Sequence, residues 1–135
     1  MKKEQAKEHI RTTFREGESL VGFFISMQRM KFWLLILLGP LIALTMRHYY
    51  VAVSDKGVHF YRLTMLGKFS DNHDFFSYAE ITSIRIKKGF IQRPLHFQFS
   101  NGRTLKLRAQ LKGVKSVAKL DAMTQQYLAE HIKPA

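Results

Sequence analysis

Cysteine is absent from the 135 residues, which excludes disulfide staples, thiolate zinc sites, iron–sulfur ligation and cysteine nucleophiles. Acids are scarce, 10 against 22 lysines and arginines, for a formal net charge of +12. No secretory h-region follows Met1-Lys2-Lys3-Glu4, so the expected location is cytoplasmic, with peripheral contact at the inner face of the membrane. No internal repeat or low-complexity stretch is present. What the chain does have is apolar side chain, 46% hydrophobic and 13% aromatic. That is too much for a disordered polycation and, at this length, enough for the core of one domain.

The charge is one-sided. Residues 1–31 carry seven Lys/Arg and four acids, residues 32–80 four and four, and residues 81–135 eleven and two. A C-terminal excess of this kind builds a field suited to an anionic partner, phospholipid headgroups or a nucleic acid backbone, where a scattered excess would serve only solubility.

Ala6, Ile10 and Phe14 recur every four residues and predict an amphipathic N-terminal helix within residues 1–17. Ser19 to Gln28, rich in aromatic and β-branched residues, reads as a strand buried on most of both faces. Phe32 to Met46 is uncharged over 15 residues, bracketed by Arg29 and Lys31 on one side and Arg47 on the other. A spanning helix needs about 20 apolar residues, and Gly39-Pro40 interrupts this run. A short broken helix or helical hairpin is expected, buried in the fold, in a partner subunit or in a bilayer interface.

His48–Val53 and Val58–Leu63 predict a hairpin whose loop ends on a left-handed Gly57, with apolar side chains on both faces of each strand. Thr64 to Asp74 reads as irregular. Further on, Ile84 and Ile86, then Leu95, Phe97 and Phe99, then Leu105 and Leu107 alternate with Arg85, Lys87, His96, Lys106 and Arg108, which gives three strands with one core face and one cationic face. Because directly paired residues share a face, Ser100-Asn101-Gly102 must act as a three-residue loop that pairs Phe97 with Leu105, with Gly102 left-handed. An amphipathic helix is expected from Gly113 to Ile132, stopped by Pro134.

This order of elements suits a small antiparallel barrel plugged by a final helix. Two segments, Tyr49-Tyr50-Val51-Ala52-Val53-Ser54-Asp55-Lys56-Gly57 and Phe76-Ser77-Tyr78-Ala79-Glu80-Ile81-Thr82-Ser83-Ile84, are similar to the second-strand hairpin and the approach to the middle strand in bacterial pleckstrin-homology-like domain proteins. The resemblance covers residues 18–132. It implies a mainly β fold, a bent antiparallel sheet or partly open barrel with a C-terminal amphipathic helix, to which this chain adds the N-terminal helix and an apolar helical insertion, 32–46, between the first two strands. It also implies a non-catalytic scaffold for lipid or protein contacts and a tendency to form homo-oligomers. Relatives that bind phosphoinositides carry a basic pattern in the loop after the first strand. Here Arg29 and Lys31 give way to the apolar run, so that pattern is broken.

Catalytic signatures are missing. There is no Gly-x-Ser-x-Gly elbow, no His-Glu-x-x-His and no phosphate loop, and the histidines at 9, 48, 59, 73, 96 and 131 lack metal spacing. Neither enzyme, metal nor cofactor is expected, and the polar cluster Asp71, His73 and Asp74 reads as solvated. Lys88-Gly89-Phe90 opens like an RNA-recognition signature, but Ile91-Gln92-Arg93-Pro94 breaks it, and Phe97 and Phe99 alternate inward. Nucleic acid is therefore the second reading of the basic face. The first is an anionic membrane surface or a protein partner, met by Arg29, Lys31, Arg47, Arg85, Lys87, Lys106 and Arg108 with apolar help from Phe32, Trp33, Leu34, Leu35, Leu37 and Leu38.

Overall fold

The computed structural model of the chain describes residues 3–28, 37, 47–64, 66–112 and 118–135. The chain runs through α1 (Lys3–Thr12), β1 (Leu20–Gln28), β2 (His48–Ser54), β3 (Gly57–Leu63), β4 (Phe69–Ser77), a 3-10 turn (Tyr78–Glu80), β5 (Ile81–Ile86), β6 (Gln92–Phe99), β7 (Thr104–Gln110) and α2 (Ala122–His131). The seven strands form one antiparallel sheet in the order β4-β3-β2-β1-β7-β6-β5. It consists of two meanders, of four and three strands, joined where Ser26, Met27 and Gln28 of β1 pair with Ala109, Arg108 and Leu107 of β7.

Strand alternation explains how the halves pack. Phe24, Val51, Val53, Val58 and Phe60 turn inward from the first meander and meet Ile84, Leu95, Phe97, Phe99 and Leu107 from the second. Phe60 lies edge-on to Phe97 at 5.2 Å, and Phe76 stacks on Phe99 at 4.1 Å. Helix α2 closes this core with Leu128, beside Leu120 and Ile132. It approaches β1 so closely that a Cβ on Gly22 would lie 2.1 Å from the Thr124 hydroxyl.

A second apolar layer lies on the opposite side of the first meander. Phe23, Tyr50, Ala52, Tyr61 and Leu63 point outward there and are covered by Ala6 and Ile10 of α1. This accounts for strands β2 and β3 being apolar on both faces. The two sheet edges differ in how they are protected. Polar residues 71–74 lie exposed along β4, while the C-terminal tail bonds to Ile84 of β5 through Lys133 and Ala135.

The β6–β7 register matches the sequence reading: Phe97 pairs with Leu105, Leu95 with Leu107 and His96 with Lys106, and Gly102 has φ 86°. Three expectations need correction. Residues 69–74, read as irregular, belong to β4; an edge strand exposed on both faces loses its alternation. Gly57 is not left-handed, since among the described residues the positive-φ glycines are Gly17, Gly67 and Gly102. It is needed because a Cβ there would lie 2.2 Å from the Phe76 carbonyl. The C-terminal helix starts at Ala122, where Asp121 caps it by accepting from Thr124 N at 2.7 Å. Residues 118–121 are not helical, because Leu120 N donates back to the Gln110 carbonyl, and residues 113–117 lie outside the described set. The apolar insertion 32–46 also lies outside it, apart from Leu37. No helix among the described residues is long and apolar enough to cross a membrane.

Candidate functional site

The outward positions of β5, β6 and β7 form the basic face. Arg85 pairs with His96 and His96 with Lys106, which sets these three in one row across the strands. Lys87 N donates to the Pro94 carbonyl at 2.9 Å, and Pro94 pairs with Arg108, which makes a second row. With strands about 4.8 Å apart and same-face neighbours about 7 Å apart, the four cations occupy a patch of about 10 by 7 Å. All four are exposed. Among the described residues no acid pairs with any of them. The chain has no acid from Ile81 to Leu120 and ten Lys/Arg in the same stretch. A cleft of about 440 Å³ opens at the second row, lined by Lys87, Ile91, Gln92, Pro94 and Arg108.

The other expected contact residues are not brought to this face. Arg47 is exposed immediately before β2, and its carbonyl accepts from Gln28 N. Leu37 is exposed. Arg29, Lys31, Phe32, Trp33, Leu34, Leu35 and Leu38 lie outside the described residues.

The structure also assembles a polar chain, buried at Glu18 and His59 and exposed at His73, that sequence reasoning missed. Glu18, in the link between α1 and β1, has no exposed side-chain surface, and its Oε2 is 2.7 Å from His59 Nε2. Ser54 Oγ donates to the same carboxylate oxygen at 2.5 Å. His59 Nδ1 is 2.8 Å from His73 Nε2. The His59 ring is stacked between Phe14 at 4.8 Å and Phe75 at 4.5 Å. A carboxylate only accepts, so His59 Nε2 carries a proton. Its Nδ1 then either accepts from a neutral His73 or, if His59 is charged, donates to it.

Burial pushes the Glu18 carboxyl up, but the hydrogen bonds from Ser54, His59 and Arg15 N, together with the His59 charge, outweigh it and hold the carboxyl below its ordinary value. His73 is held below its ordinary value by burial and by the neighbouring His59 charge, against an opposing pull from Asp74. Carboxylate, imidazole and imidazole in line resemble a proton relay. Ser54 is fully buried and His59 nearly so, while His73 at the end of the array is exposed. Chemically the array ties the α1–β1 link to β2, β3 and β4. The clue in the sequence was weak: His59 and Tyr61 share one strand face, which had to be covered by something able to satisfy an imidazole.

No family model matches the chain, and no curated protein matches it. Among solved structures it is similar to the hSac2 domain from human phosphoinositide phosphatase Sac2, with a TM-score of 0.55 and 15% identity, covering 94% of this chain and 75% of that one. At that identity the likeness bears on the fold alone.

Proposed function

We propose that the chain is a non-enzymatic binding module of pleckstrin-homology-like fold that docks on an anionic membrane surface through the outer face of β5, β6 and β7. The fold reading is supported by the four-plus-three meander, the β1–β7 seam and the closing C-terminal helix. The functional reading is carried by one observation, the exposed patch of Arg85, Lys87, Lys106 and Arg108 with no acid from Ile81 to Leu120. A membrane fits better than a nucleic acid because Phe97 and Phe99, the phenylalanines of β6, are buried and cannot serve as stacking platforms beside these cations.

The test is co-sedimentation with phosphatidylserine-rich vesicles and with pure phosphatidylcholine vesicles. Each cation near an anionic leaflet contributes about 1 kcal/mol. Reversing Lys106 and Arg108 to glutamate therefore costs about 2–4 kcal/mol, or about 30- to 1000-fold in partitioning. Wild type should be retained on the anionic vesicles only and released by salt. Unchanged retention of the double variant would defeat the reading.

A further inference from the structure

The loop joining β5 to β6 presents Phe90 at 90% exposure and Ile91 at 64%. Among the described residues these two are the one adjacent pair of strongly exposed large apolar side chains. Exposure of this kind in a slack loop would mean little, but this loop is braced at several points. Lys87 N donates to the Pro94 carbonyl at 2.9 Å, and Leu111 N donates to the Ile91 carbonyl at 3.0 Å. The Arg93 guanidinium reaches the Gly89 carbonyl at 3.4 Å. Gly89 lies so close to Gln92 that a Cβ would be 2.0 Å from its carbonyl oxygen, so the tight turn admits only glycine. An aromatic ring is thus held out in water by a backbone with little freedom to fold it back.

The surroundings identify the occupant. Lys87 and Lys88 precede the tip and are exposed. Ile91 forms one wall of the cleft that also contains Lys87 and Arg108. An apolar tip with cations at its base matches the layered chemistry of an anionic leaflet, phosphate above hydrocarbon. A soluble acidic protein would answer the cations but leave the ring without a matching depth of hydrocarbon.

We infer that the β5–β6 loop is a membrane wedge: Phe90 and Ile91 enter the acyl boundary of an anionic leaflet, while Lys87, Lys88 and Arg108 engage lipid phosphates at headgroup depth. This rests on the proposed lipid-facing role of the basic sheet face and adds the insertion site to it.

Because the chain has no cysteine, Ile91→Cys can carry a single environment-sensitive fluorophore, with Asn101→Cys on the exposed β6–β7 turn as control. On phosphatidylserine-rich vesicles the label at 91 should brighten and be quenched by acyl-chain quenchers, while the label at 101 stays in water. Phe90→Asp should lower partitioning by about tenfold or more, and Phe90→Trp should preserve it. Circular dichroism melts check that the exposed substitutions leave the fold intact. If Phe90→Asp binds like wild type and the label at 91 stays in water while binding remains salt-sensitive, the wedge is wrong and the basic-face reading survives. If wild type ignores anionic vesicles, both are wrong. If light scattering without lipid shows Phe90→Asp dissociating a dimer, the tip is a subunit contact and the wedge is overturned.

Discussion

Replacing Glu18 with alanine removes the acceptor shared by Ser54 Oγ at 2.5 Å and His59 Nε2 at 2.7 Å. The two donors do not suffer equally. Ser54 keeps an alternative acceptor in the Gly57 carbonyl at 3.2 Å, whereas His59 is pinned between Phe14 and Phe75 and cannot carry its Nε2 to water. One stranded buried donor costs about 1–3 kcal/mol, and loss of the charged partner adds to it, so about 2–4 kcal/mol is expected. For a domain of this size that lowers the thermal midpoint by roughly 8–16 °C. The assay is a circular dichroism melt near neutral pH, run as a double-mutant cycle with His59→Phe, which keeps the aromatic stack. Glu18→Ala strands the His59 Nε2 donor, His59→Phe takes the imidazole from a buried carboxylate that keeps only Ser54 Oγ and Arg15 N, and the double variant leaves neither deficit. The double should therefore be less destabilised than the sum by at least about 1 kcal/mol. Strict additivity, or a Glu18→Ala shift within about 0.5 kcal/mol of zero, would refute the energetic role of the pair.

The same cluster gives the protein an acid-side weakness. Both Glu18 and His73 titrate below their ordinary values of 4.5 and 6.5, so the unfolded chain binds more protons than the native one in each window and stability rises with pH. The urea midpoint should fall as pH drops from about 7.5 to 5 through the His73 window, and again at lower pH through that of Glu18. His73→Phe should flatten the first fall, and a midpoint that rises over that range would contradict the assignment. Glycine substitutions separate two physical reasons for the residue. Gly57→Ala drives a methyl into the Phe76 carbonyl and Ser77 Cα at 2.2 and 2.8 Å, for an expected loss of about 1–3 kcal/mol or more. Gly17→Ala meets nothing within 4 Å and bears only the strain of φ 80°, about 1 kcal/mol. Equal losses in chemical denaturation would show that the β3–β4 approach is not rigid.

Legibility in the sequence followed the strength of alternation. The β6–β7 hairpin could be registered residue by residue, because Leu95, Phe97, Leu105 and Leu107 leave only one pairing that puts core on core. The basic face came with it, since the residues between them are the cations. Strand β4 was hidden because an edge strand with residues 71–74 exposed on both faces has no period. The start of α2 was hidden because Leu120 continues the helical stripe in sequence but is held by Gln110 in space. The Glu18–His59–His73 chain could not be found by spacing at all. Its members are separated by 41 and 14 residues and meet only through strand pairing and the return of the α1–β1 link. Phe90 was read against an RNA motif and set aside, because exposure of a loop aromatic is a property of the bracing around it and not of the tripeptide.

The two halves of the sheet pack face to face, so their outward surfaces point in opposite directions, and α1 occupies only one of them. Any support that receives Arg85 and Lys106 therefore has the α1 layer on its far side, like the upholstered back of a chair set against a wall. That geometry gives the molecule a fixed polarity. The basic side is built from a stretch, Ile81 to Leu120, that contains no acid, and the opposite side ends in a helix with Lys3, Glu4, Glu8 and Arg11 exposed in both signs of charge.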